Sequence, residues 1–415
     1  VSLRRKRRGA VFILALSLTV ILSALLLVYS QEMRTEMTGA ANRLAEAQAD
    51  GVEQGAEQWV LAEIEANTTA LPTTTTGGAT GGTSGSSSSS SSSTVDPTTI
   101  PAEAIPVGTG YFWILKVDPT QDQIYTFGLT DESGKLNINS ATATQLQYIP
   151  NMTTTLATSV TSFLASAVPS GTTLTASGVT AKLSFESVEE LLLTDQNLTP
   201  QLLYGYDLNH DGVIDQNEQN AAGGAAITNG TTSDSRGMFN YLTVYSTTAQ
   251  VGTTGTTAPT VVRGARGITQ TPQTIGLINV NTAPLQVLEC LPGLTQNDAT
   301  TLINYRTSQT VTGTSWVAQA LSQSKASAIT PYITGVSYQY SADIVAVSGD
   351  ARAFKRVRIV VDCRQQPAKI IYRKDLTSLG WPLPPEVRDS MRAGKGVPVS
   401  VTGTTNQETN NGPQQ

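Results

Sequence analysis

The residues of this 415-residue chain best spaced for chemistry lie in DLNHDGVIDQNE, residues 207–218. Asp207, Asn209 and Asp211 place side-chain oxygens at positions 1, 3 and 5 of a twelve-residue loop, and Gly212 supplies the sharp turn at position 6. Val213 offers a backbone carbonyl at position 7, Asp215 stands at 9, and Glu218, able to bind through both oxygens, closes position 12. An all-oxygen set selects a hard cation, and this spacing predicts calcium. The QNAAGGAAITNG that follows is not a helix former, so the loop is expected to be a lone structural site and not half of a paired sensor. Extracellular modules of this type bind weakly, with a Kd of about 0.1–1 mM.

Other chemistry is sparse. The single histidine, His210, falls inside that loop, so the usual hydrolase and dehydrogenase constellations lack a member. Acidic residues are scattered, and no nucleophile can be placed beside a base. Cys290 and Cys363 have neither C-x-x-C nor Cys/His spacing. They read as two small buried hydrophobes, with a single disulfide left open. The sequence therefore reads as non-catalytic.

Composition points outward from the cell. Charged residues make up only 14% of the chain and apolar ones 39%, enough for cores but with a polar, weakly charged surface. The formal charge is −6, and positions 4–8 alone carry five positive charges, which leaves the remainder near −11. Such a surface is a poor partner for nucleic acid.

The elements that must carry the loop begin with RRKRRG at residues 4–9. Ala10 to Tyr29 is interrupted only by Ser17, Thr19 and Ser23, and about 20 helical residues span about 30 Å, one bilayer core. Bases before the span and acids after it put residues 1–8 in the cytoplasm and everything beyond Tyr29 outside. Met33, Met37, Ala41, Leu44, Val52, Ala56, Trp59 and Val60 continue the pattern mostly at three- and four-residue intervals. One helix is thus expected over 10–66, after a basic leader at 1–9.

A Ser/Thr/Gly tract makes 67–107 a solvated linker. YFWILKVDP and QIYTFGLTDE then predict β structure over 108–139, and YSADIVAVSGD, FKRVRIVVDC and AKIIYRKDL predict three strands within 334–393, where SLGWPLPP ends the domain. The polar stretch 394–415 reads as a disordered tail.

Between these strands, residues 140–333 read as a helical domain, and a repeat runs into it. GKLNINSATATQLQYIPNMT (134–153) aligns without gaps to GLINVNTAPLQVLECLPGLT (276–295). Each copy reads as an extended piece, a helix capped by Ser140 or Thr282, a proline turn and a second helix, which is a helix-hairpin-helix pattern. The second copy resembles DNA-uptake proteins of the competence system, and the alternative function is a membrane-tethered DNA-uptake receptor. Against it, the hairpins carry one glycine and none, and Asp298 stands where a base would help.

The basic leader, the glycine and an apolar helix running into an amphipathic one resemble the class III signal of type IV pilins and type II secretion pseudopilins. That resemblance implies cleavage by prepilin peptidase after Gly9, a mature chain beginning at an N-methylated Ala10, and a place in the inner membrane. In most of that class the fifth mature residue is a glutamate that pairs with a neighbour's terminal ammonium; here the position is Leu14. A carboxylate in lipid persists only with a partner, so Leu14 suits a subunit with no predecessor. In this departure, and in GKLNINSA, FESVEELLLT and INVNTAPLQVLECLPGL, the chain is similar to K-type minor pseudopilins, the general secretion pathway protein K family. The family implies an α+β fold: a transmembrane helix and a pilin-like antiparallel sheet carrying an inserted helical, SAM-like domain that binds calcium. It also implies a tip position in the pseudopilus, a role in protein export, and other minor pseudopilins and the major pseudopilin as partners.

Overall fold

A computed structural model describes residues 3–67, 100–118, 124–166, 184–215, 218, 237–249, 273–365 and 367–398. The Ser/Thr/Gly tract at 68–99, the sequence just after the candidate loop and the tail from 399 lie outside these described residues. The fold is α+β, with a long apolar N-terminal helix and an antiparallel sheet.

Helix α1 (Leu3–Asn67) runs 65 residues without a break, as a sequence without proline allows. Its two halves differ in what surrounds them. From Phe12 to Tyr29 every large apolar side chain is exposed, and this stretch is long and apolar enough to cross a membrane. The hydroxyls of Ser17, Thr19 and Ser23 donate to Leu14, Leu16 and Thr19 carbonyls, so these three need no water. From Ala45 the helix turns one face inward: Ala45, Ala49, Val52, Ala56, Val60 and Ile64 are all buried, the three- and four-residue steps of a single helical stripe.

That stripe lies on the sheet. Strands β1 (Ile105–Val107), β2 (Gly110–Lys116), β3 (Thr126–Phe127) and β4 (Thr130–Asp131) precede the helical part. The helical part comprises β5 (Leu136–Asn137), α2 (Ala143–Leu146), α3 (Thr154–Ser166), α4 (Pro200–Tyr204), β6 (Leu242–Thr243), β7 (Thr247–Ala249), β8 (Gln273–Ile275) and β9 (Ile278–Asn279). It continues through α5 (Leu285–Glu289), α6 (Gln296–Ser308), α7 (Val317–Ala320), α8 (Gln323–Ile329) and β10 (Ile333–Thr334). Then come β11 (Gln339–Val347), β12 (Phe354–Asp362), β13 (Lys369–Asp375) and α9 (Pro385–Arg392).

The main sheet runs β1-β2-β11-β12-β13, with β3 on β2 and β4 on β11, all antiparallel. Both faces are covered, which is why its central strands read as nearly continuous apolar runs. Phe112, Ile114, Ile344 and Ile359 meet α1; Trp113, Leu115, Val345 and Val347 meet α9 through Val387 and Met391. At Gly110 any side chain would strike the Val347 carbonyl and Val52. Arg373 reaches Glu53 and Glu57, and Lys355 reaches Asp50 at 3.1 Å, tying the strands to the helix by charge as well.

The helical part has its own core, from Leu136 to Ile333. Five expectations need correction. Met33, Met37 and Leu44 of the expected stripe are exposed, because the inward face of α1 opens only at Ala45. The expected tail does not start at 394: Lys395 N–H donates to the Ser390 carbonyl at 3.0 Å and Val397 packs against the sheet. The sheet starts at Ile105, ahead of 108, and Ile100 and Ala102 are already buried, because the Ala102 carbonyl accepts from Ile114 N–H at 2.8 Å. SLGWPLPP does not end the fold; it turns the chain into α9. Ser140 and Thr282 do not cap helices. Each sits on a tight turn two residues too early, its N–H donating to Asn137 or Asn279 carbonyl at 3.2 Å. Thr142 caps α2, in a reciprocal pair with Gln145, and α5 starts after Pro284 without a side-chain cap.

Candidate metal centre

The loop of residues 207–218 is placed by α4, which Thr199 caps through Leu202 N–H at 3.3 Å and Gly205 ends at φ +73°. The chain then curls around its own carboxylates. Asp207 accepts from Asp211 N–H at 3.1 Å and Gly212 N–H at 2.9 Å, and Asp211 from Val213 N–H at 2.8 Å. Asn209 Oδ1 accepts from Asp211 N–H at 2.8 Å. Glu218 reaches back across the loop to Leu208 N–H at 2.8 Å, Asn209 N–H at 3.2 Å and Asp215 N–H at 3.0 Å. Gly212 takes φ +87°, a backbone conformation that strains any residue with a side chain, and a Cβ there would press on Val117 at 3.1 Å. All the described positions that the spacing selected are therefore brought into one loop, with Asp215 at its exposed end.

Asp207, Asp211 and Glu218 are buried. Burial, with repulsion from Glu218, pushes the Asp207 carboxyl up to about 7. Burial and Asp207 hold Asp211 well above the usual range, and burial raises Glu218 as well. Three carboxyls packed together out of water resist ionising. Burial also pushes Tyr125, whose hydroxyl stands 3.5 Å from Asp211 Oδ2, far above an ordinary phenol, and the Asp211 charge adds to it. His210 is no base: it takes φ +58°, stacks on Tyr204 with ring centroids 4.1 Å apart, and burial holds its pKa down to about 4.

Among the described residues, no three His, Cys, Asp or Glu side chains converge closely enough to grip a metal ion. The carboxylates are instead spent on the loop's own N–H groups. The donor chemistry nonetheless fits a hard divalent cation: as metal ligands Asp207, Asn209, Asp211, Asp215 and Glu218 offer only oxygen.

Sequence reasoning missed what holds this loop to the sheet. Arg356 on β12 is fully buried and binds Asp343 on β11 through two hydrogen bonds of 2.8 Å. Its other donors take the backbone carbonyls of Asn209 and His210. Arg358 also reaches Asp343, at 2.9 Å, and lies over the Phe239 ring at 4.9 Å. The available signal was a charge at an inward strand position in YSADIVAV and FKRVRIVV.

The repeat also extends further than its aligned segments. β5 pairs in parallel with β6, and β9 with β10. The closing strands carry a second match, YLTVYS (241–246) and YITGVS (332–337). In each copy an asparagine donates to a serine of the closing segment, Asn137 to Ser246 at 3.1 Å and Asn279 to Ser337 at 2.8 Å. The hairpins turn on Asn151 at φ +63° and Gly293 at φ +77°. Asp298, by the second hairpin, is engaged by Thr295 and Lys325.

Gly9 and Ala10 lie within the helical span of α1, and Leu14 is 69% exposed. Cys290 and Cys363 are both buried and not joined in a disulfide, one in the helical core and one in the sheet core, where the Cys363 thiol donates to the Tyr338 carbonyl at 3.2 Å. No protein-family model matches the chain, and a search of curated proteins finds no relative.

Proposed function

We propose that the chain is a non-catalytic minor pseudopilin of the K type, acting at the tip of a type II secretion pseudopilus and assisting protein export. The observation that carries this reading is α1: one unbroken helix, apolar and exposed from Phe12 to Tyr29, and laid as a core stripe on an antiparallel sheet from Ala45 to Ile64. A simple anchor needs no such continuity between span and head. The bases at 4–8 and Gly9 supply the processing signal, with the N-terminus cytoplasmic and the head periplasmic. Leu14 replaces the carboxylate that would seek a preceding subunit. The segment between β4 and β11 serves as the inserted helical domain, facing other minor pseudopilins, the major pseudopilin or cargo.

In this reading Asp207, Asn209, Asp211, Asp215, Glu218 and the Val213 carbonyl hold calcium. Bound there, the ion supplies positive charge that lets the buried carboxylates ionise, a structural and not a catalytic role.

The test is co-expression of the full chain with a prepilin peptidase, followed by mass spectrometry of the N-terminus. A chain beginning at N-methylated Ala10, with Gly9→Val blocking the cut, supports the assignment. An uncut chain that retains residues 1–9 overturns it.

A further inference from the structure

We propose that Arg356 is the positioning residue through which the candidate calcium loop grips the sheet, so that a divalent cation in the loop fastens the helical part to the sheet that carries α1. The inference rests on the calcium reading of residues 207–218 and adds a consequence to it.

The geometry runs through two peptide planes. The guanidinium draws the Asn209 and His210 carbonyls toward the sheet. In a trans peptide the N–H points opposite to the carbonyl, so the same pull aims Asp211 N–H back into the loop, where it meets Asp207 and Asn209. His210 sits at φ +58°, a left-handed conformation that a residue with a side chain rarely adopts, and the arginine fork helps to hold it there. Asp343 fixes the fork from behind with a two-point bond. Loop, arginine and sheet thus share one set of hydrogen bonds.

Close packing does not make this link redundant. A cavity of about 160 Å³ separates the sheet from the helical part, lined among others by His210, Asp211, Tyr241, Asp343 and Arg358. Across such a gap, discrete polar bridges carry the attachment. The sheet's opposite face holds α1, so firmness at the loop is firmness between the helical part and the membrane helix.

Charge and positioning predict opposite results, which makes the inference testable. Arg356 stands near Asp207 and Asp211 and repels a divalent cation; acting by charge alone, Arg356→Gln tightens calcium and Arg356→Lys leaves it unchanged. Acting as a positioner, both weaken it, by about tenfold as for other residues that orient metal ligands. The experiment is a calcium titration by calorimetry on the full chain in detergent micelles, for wild type, Arg356→Lys, Arg356→Gln and Glu218→Gln, with hydrogen exchange in calcium and in chelator. Calcium is expected to slow exchange in wild-type residues 341–345 and 354–358 as well as in the loop. Protection confined to the loop, or an unchanged Kd in folded Arg356→Lys, overturns the inference while the calcium reading stands. Wild-type protein that binds no calcium up to several times the expected Kd overturns that reading itself. Because the wild-type exchange pattern decides the matter by itself, a variant that fails to fold does not rescue the idea.

Discussion

Asp131 and Glu132 are neighbours in the chain, and each carboxylate anchors a different copy of the internal repeat. Asp131 accepts from Asn279 at 2.9 Å, Thr282 at 2.5 Å and Ser337 at 2.7 Å, all in the second copy. Glu132 accepts from Thr243 in the first copy, from Ser341 on β11 at 2.6 Å and from Lys135 at 2.8 Å. One turn at the end of β4 therefore sews both halves of the helical part to the sheet.

Replacing Asp131 by Asn puts an NH₂ group where acceptors are needed and leaves buried donors unpaired. We expect a loss of about 1–3 kcal/mol, read as a lower urea midpoint. Asn279→Ala in the same background should add less than it does in wild type, since the two share one network. Fully additive losses would mean that the network is not coupled.

Calcium should stabilise the folded chain by mass action, about 2.7 kcal/mol at a hundredfold excess over Kd. Thermal unfolding in chelator and in calcium checks this. Glu218→Gln is expected to erase the difference, and an equal shift in that variant would place calcium elsewhere.

Asp298 gives a pH signature. Hydrogen bonding from Lys325 at 2.5 Å, then from Thr295, pulls its carboxyl down to about 2 from an ordinary 3.8. A group depressed in the folded state contributes fully above its unfolded pKa and loses that contribution as pH falls toward the folded one. Wild type should thus lose stability between pH about 4 and about 2, and Asp298→Asn should flatten that limb of the curve. An identical acid limb in both proteins would contradict the pairing.

The two halves of α1 should respond differently to truncation. Ile64 is fully buried against the sheet, so Ile64→Ala is expected to cost about 2–5 kcal/mol of head stability. Leu22, exposed to its surroundings, should leave the head's urea midpoint unchanged when cut to alanine. Equal effects would argue against a helix divided between lipid and head.

Hydrophobic spacing made the helix and strands legible. The apolar run after Gly9 and the three final strands each declare themselves by a local period of bulk or polarity. Of the helical stripe only Val52, Ala56 and Val60 were both expected and buried, since exposed Met33, Met37 and Leu44 keep the same spacing on a face that meets no sheet. Cap residues were misplaced because Ser140 and Thr282 look like caps by position, while the turn that uses them is set by the asparagine ahead of each.

By itself the sequence determined the order of donors in residues 207–218 and the course of α1, since both depend on residues a few positions apart. Only the tertiary structure decided that Arg356 meets the carbonyl of Asn209, 147 positions away, and that Asp131 and Glu132 divide the two repeats between them. Such pairings carry no period along the chain. They come from sheet register and from the requirement that a buried charge find its partners, conditions met only once the strands have closed around it.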